Sequence, residues 1–150
     1  MPILFHGTLT EHLPEIFRKG IEPGAGWGGA GTFGTFLSGT PEGALYWAKL
    51  AYQRTHNEKM EVYRFDRDHG HEADRLIAIL VVEIPEKETG KLKADEEQFE
   101  DVGADLDPSD WKQSLIVIGD VRFDGPIPPE WIREVVPPSK AVAGKRPKQK

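Results

Sequence analysis

The chain has no cysteine among its 150 residues. That excludes a disulfide framework, a thiol nucleophile and a cysteine-based zinc site. No apolar run approaches the ~20 residues of a membrane-spanning helix, and no basic-then-apolar leader opens the chain. The longest apolar stretch, Leu76-Ile77-Ala78-Ile79-Leu80-Val81-Val82, has the length of a buried strand. Positive charge is scarce: 19 Lys and Arg stand against 25 Asp and Glu, for a net charge of −6. Five of the bases (Lys140, Lys145, Arg146, Lys148, Lys150) fall after Pro138 with no acid among them, so the remainder carries −11. An acidic body is a poor unaided platform for nucleic acid, because phosphate affinity comes largely from basic side chains. The expectation is a soluble, cytoplasmic monomer without membrane contact. One domain is expected over residues 1–138 and a basic, disordered tail over residues 139–150.

What is present is ordinary globular material, 38% apolar and 29% charged. Pro2 to Phe5 reads as a strand. Thr10 is a candidate N-cap for a helix with Leu13, Ile16 and Phe17 at core spacing, closed by Lys19 and Gly20. Gly24 to Gly34 holds six glycines in eleven residues, a loop suited to embrace a ligand. Its Gly24-Ala25-Gly26-Trp27-Gly28-Gly29 matches G-x-G-x-x-G. However, a turn precedes it and a strand follows, whereas the dinucleotide fingerprint lies between a strand and a helix. Trp27 reads as an ordinary loop anchor or, second to that, as an aromatic covering a ligand. Thr35 to Ser38 is the next strand, and Thr40-Pro41-Glu42 is a helix start with a hydroxyl cap, an N1 proline and a first-turn acid. That helix runs to about Arg54, with Leu45, Ala48, Leu50 and Ala51 available for the core.

Further on, Met60 to Phe65 is expected as a strand, Asp66 to Asp74 as a polar loop and Arg75 to Ile84 as a central strand stopped by Pro85. The eight acids between Asp95 and Asp110 make an exposed loop or weak helix. Gln113 to Ile118 and Asp120 to Phe123 read as strands bent at Gly119, and a last strand covers Glu134 to Val136. The fold class is α+β, with two N-terminal helices on a mostly antiparallel sheet.

Two stretches carry the chemistry. Leu4-Phe5-His6-Gly7-Thr8 is a strand running out into an imidazole, a glycine and a hydroxyl. Thr35-Phe36-Leu37-Ser38-Gly39-Thr40-Pro41-Glu42-Gly43-Ala44-Leu45-Tyr46 is a strand, then a capped helix with an aromatic one turn in. Side by side they make a slot, with an amide edge on one wall and a tyrosine ring on the other. Gly7, lacking Cβ, lets a ligand reach main-chain groups. Such a slot suits a flat, amide-bearing ring.

These stretches, with Gly125-Pro126-Ile127-Pro128-Pro129-Glu130-Trp131-Ile132, resemble the ADP-ribosyltransferase fold. The similarity is to the branch shared by diphtheria toxin and the poly-ADP-ribose polymerases. The tRNA 2′-phosphotransferases share that fold and also open with His-Gly-Thr. The resemblance implies a split antiparallel sheet around NAD, used as a substrate. His6 would bond the adenosine ribose and Gly7 the nicotinamide amide through its backbone. Thr8 would sit beside them and Tyr46 would stack on the ring. Phe36 falls where the polymerases place another tyrosine, and with Ser38 it completes the set of cofactor-binding residues.

The implied reaction is transfer of ADP-ribose to a macromolecular acceptor, protein or nucleic acid, with release of nicotinamide. An acid or amide must face the oxocarbenium-like ribose. The polymerases carry that glutamate at the start of a late strand, and on the strand expected over Gln113 to Ile118 its place falls to Gln113 or Ser114. Three readings follow: a transferase using another acid, a 2′-phosphotransferase-like enzyme acting on RNA, or a non-catalytic module binding NAD, ADP-ribose or another nucleotide. Ser38 and Ser114 lack a nucleophile-elbow context, so a serine hydrolase is not expected. His69 and His71, with the acids around them, read as solvated side chains, and no metal is expected.

Overall fold

The computed structural model describes residues 1–25, 33–95 and 107–144. Trp27, the remaining glycines of the G-x-G-x-x-G match, the acids from Glu96 to Asp105 and the bases from Lys145 onward lie outside the described residues.

The architecture is mixed α and β. Its strands are β1 (Ile3–Leu9), β2 (Gly24–Ala25), β3 (Phe33–Ser38), β4 (Ile77–Glu83), β5 (Leu92–Ala94), β6 (Asp120–Phe123) and β7 (Ile132–Val136). Its helices are α1 (Leu13–Lys19), α2 (Pro41–Thr55), α3 (Val62–His69), α4 (Ala73–Leu76), α5 (Trp111–Val117) and α6 (Pro138–Gly144). Every pairing is antiparallel; the order is β5-β6-β3-β1-β4-β7, and β2 adds a short pair to β3.

Both faces of the sheet are covered, and the pleat of β4 divides the core between them. Ile77 and Ile79 join Ala44, Leu45, Ala48, Phe65 and Ala141 under the helices of one face. Leu80 and Val82 point the other way, to Leu4, Ile16, Leu37, Val121, Phe123 and Ile127. Alternation at period two across a strand buried on both sides explains why its sequence is continuously apolar.

Several elements follow from local signals. Thr40 caps α2, its hydroxyl accepting from the Gly43 N–H at 3.0 Å, with Pro41 in the first turn. Gly20 closes α1 at φ +88°. Thr10 does not cap: it opens a short 3-10 turn at Thr10–His12, and its hydroxyl bonds the Arg75 carbonyl. Phe17 is 53% exposed rather than in the core.

Further expectations are corrected. Met60 to Phe65 is not a strand: Val62–His69 is helical, because Phe65 and His69 at i, i+4 meet the same ring of α2, Tyr52. The stretch expected as a polar loop, Asp66 to Asp74, continues that helix through a 3-10 turn into α4. Gln113 to Ile118 lies largely in α5, whose start is capped by the Asp110 carboxylate accepting from Gln113 N–H. The segment read as a tail begins as α6, with Ala141 buried in the core and Ser139 donating its N–H and Oγ–H to Asp74. No described helix is long and apolar enough to cross a membrane.

Candidate functional site

The site begins as a gap in the sheet. β1 pairs with β4 along its whole length, from Ile3↔Glu83 to Leu9↔Ile77, and β3 pairs with β6 from Thr35↔Phe123 to Ser38↔Asp120. Between them β1 and β3 share one pair, Phe5↔Ser38. Beyond it the two halves diverge, and a cavity of about 290 Å³ opens between them.

His6, Gly7, Thr8, Phe36 and Ser38 all line this cavity, so the structure brings five of the anticipated residues together. They lie within the strands, not beyond their ends: β1 carries His-Gly-Thr as interior residues and ends at Leu9. One wall is the α2 face bearing Trp47, Ala51 and Thr55. At the ~1.5 Å rise of a helix, that face runs about 12 Å.

Gly7 is fixed by packing as well as by access. A Cβ there would lie 2.1 Å from the Ala44 carbonyl oxygen and 2.8 Å from the Ala48 Cβ. The glycine is what lets α2 seat directly on β1.

His6 spans the gap. Its Nδ1 stands 3.0 Å from the Phe36 carbonyl. A carbonyl only accepts, so Nδ1 carries the hydrogen, and neutral His6 keeps an acceptor lone pair on Nε2. Burial pushes the imidazole below its ordinary value, and the Phe36 carbonyl offsets this only in part. His6 is therefore a neutral acceptor at physiological pH, suited to a ligand hydroxyl and not to a phosphate.

Across the cavity stands a residue the sequence reading did not single out. Asp120, the first residue of β6, is 8% exposed. Its Oδ1 accepts from Ser38 Oγ at 2.6 Å and its Oδ2 from the Trp47 indole N–H at 3.0 Å. Burial raises its carboxyl above the usual carboxylate range, while the two donors pull it back. Asp120 and Trp47 also line a second cavity, of about 430 Å³, with Thr40, Gly43, Tyr46 and Gly119.

Tyr46 belongs to that second cavity alone. Its ring is 47% exposed and meets Trp47 edge to face, centroids 5.0 Å apart. Trp47, one position along, lines the first cavity together with His6.

Gln113 and Ser114 line neither cavity. Both sit on α5 instead of the expected strand, which removes them as the acid's replacement. Ser114 is a buried junction: its hydroxyl donates to the Asp120 carbonyl at 2.7 Å and accepts from Asp95 N–H at 3.1 Å. The strand that follows α5 begins at Asp120, and its sequence signal is Gly119-Asp120-Val121-Arg122-Phe123, an acid opening a strand after a glycine at φ +96°.

His12, Glu22 and Asp95 complete the ionisable lining of the first cavity, and no described Lys or Arg lines either cavity. Nor do the described residues contain a cluster of three potential metal ligands. No family model matches the chain, and no curated protein matches it.

Proposed function

We propose that this chain transfers ADP-ribose from NAD to a macromolecular acceptor, on a fold of the ADP-ribosyltransferase type. One observation carries the reading. The split between β1 and β3 sets a neutral histidine acceptor and a buried carboxylate on one cavity, with that carboxylate at the start of a late strand.

On this reading the dinucleotide lies across both cavities. The first accommodates an extended ligand along α2, where His6 Nε2 accepts from a ribose hydroxyl and the main chain of Gly7 and Thr8 is within reach. The second offers the half-exposed Tyr46 ring as a stacking platform for nicotinamide. Where the cavities meet stands Asp120, beside the bond that must break. NAD supplies a ribose whose C1′–N bond breaks with the electron pair leaving on nicotinamide, while an acceptor nucleophile bonds C1′ and gives up its proton. Asp120 opposes the positive charge that develops on the ribose, and its buried setting strengthens that attraction. A second lone pair on each carboxylate oxygen stays available to a ribose hydroxyl or to the acceptor's proton.

The test is incubation of the protein with NAD labelled in its adenylate moiety and a cell extract resolved into protein, RNA and DNA. Label is expected in one fraction, and lost with His6→Ala or Asp120→Asn. If NAD protects the protein from unfolding but no label moves, transfer is overturned and the chain is a binding module; the absence of both label and protection overturns the NAD reading altogether.

A further inference from the structure

We infer that Ser38 and Trp47 are positioning residues for Asp120, two donors from two elements that hold its carboxylate where the two cavities meet. The inference rests on the reading of Asp120 as the acid that faces the ribose.

The geometry is specific. Ser38 is the strand partner of Asp120 on one side and of Phe5 on the other, so its hydroxyl sits at the closed end of the split. Trp47 reaches the other oxygen from α2. One donor on each oxygen fixes the plane of the carboxyl group. The backbone is fixed too, through the Ser114 hydroxyl on the Asp120 carbonyl.

A structural aspartate in this place would need a cation or a full shell of donors to offset its burial. Among the described residues Asp120 accepts from two neutral donors, and the ionisable groups sharing its cavities are His6 on β1, His12, Glu22, Asp95 and Tyr46 on α2. Ser38 and Trp47 are therefore the groups that favour the anion. Without them burial drives the carboxyl toward its protonated form, which cannot oppose a developing positive charge.

The experiment follows the Asp120 carboxyl carbon and the Trp47 indole N–H by NMR through a pH titration of the free protein, with Asp120→Asn assigning the carboxyl signal. Ser38→Ala is expected to raise the titration midpoint by about one pH unit or more, and Ser38→Thr to return it toward wild type. Trp47→Phe raises it independently and carries the test should Ser38→Ala not fold. A midpoint that stays in place in both Ser38→Ala and Trp47→Phe overturns the inference.

Nicotinamide release supplies the second readout. The acidic limb of its pH profile is expected to move with the carboxyl midpoint in Ser38→Ala. A limb that stays while the midpoint moves overturns the positioning role. The titration needs no NAD, so a protein that never releases nicotinamide defeats the functional reading while the carboxyl midpoint still decides whether the two donors hold the anion.

Discussion

Gly7 allows the structural argument to be separated from the functional one. An alanine there would place Cβ 2.1 Å from the Ala44 carbonyl oxygen and 2.8 Å from the Ala48 Cβ. Ordinary contact with an oxygen needs more than 3 Å, so α2 must retreat by about 1 Å. Both contacts lie on one helix whose Ala44 and Ala48 are fully buried, so no flexible side chain can yield. Overpacking of this kind costs about 1–3 kcal/mol, and more where backbone is the obstacle. Urea unfolding of Gly7→Ala is expected to show a loss of at least that size with an unchanged m-value. Adding Ala48→Gly relieves only the lesser contact, because the Ala44 carbonyl is main chain, and it carries its own helix-propensity cost of about 1 kcal/mol. The double variant is therefore expected to remain less stable than wild type. If Gly7→Ala unfolds at the wild-type midpoint, the close seating of α2 on β1 is wrong, and the glycine serves ligand access alone.

Three further predictions follow from single side chains. Ser114→Ala strands the Asp95 N–H and the Asp120 carbonyl in a buried position, and is expected to cost about 1–3 kcal/mol in denaturant unfolding. Phe65→Ala, at a fully buried ring against Tyr52, is expected to cost about 3–5 kcal/mol; a cost below 1 kcal/mol would mean that α3 does not dock on α2. His6 gives a pH dependence whose sign is fixed by its lowered value. Below the ordinary imidazole value of 6.5 the unfolded chain takes a proton that the native state refuses. Stability therefore falls as pH drops from 6.5 to the folded-state value, by at most ~1.4 kcal/mol per pH unit, and is level above 6.5 and below the folded-state value. Subtracting the stability–pH curve of His6→Gln from that of wild type should isolate this slope; identical curves would contradict it.

Much of the frame was legible because local chemistry and tertiary structure agree. Thr40-Pro41-Glu42 caps α2 as its residue types require, Gly20 ends α1, and all of the apolar run but Leu76, which closes α4, lies in a strand buried on both faces. Two of the errors share one cause. Val62-Tyr63-Arg64-Phe65, apolar but for Arg64, and the apolar run Leu115 to Ile118 are short, and periodicity over so few residues does not separate strand from helix. Contacts distant in sequence decide them, such as Phe65 against Tyr52. In α5 the run is not even a burial signal, since Ile116 is 76% exposed.

Misreading that helix as a strand placed the glutamate's counterpart at Gln113 and Ser114; on the proposed reading it is Asp120, one element later. Trp47 escaped notice for a related reason. Neighbouring aromatics on a helix point about 100° apart, and sequence alone does not say which of Tyr46 and Trp47 faces the gap. His6, Gly7, Thr8, Phe36 and Ser38 were legible because strands carry their residues to a common gap in a predictable order.

The central claim is that Asp120 faces the reacting ribose while His6 holds the dinucleotide. The most direct measurement is nicotinamide release from NAD by wild type, Asp120→Asn and His6→Ala, alongside protection of each protein by NAD against thermal unfolding. Asp120→Asn is expected to lower release on the order of a hundredfold yet keep the protection, and His6→Ala to lose both. Release by Asp120→Asn at the wild-type rate would contradict that claim.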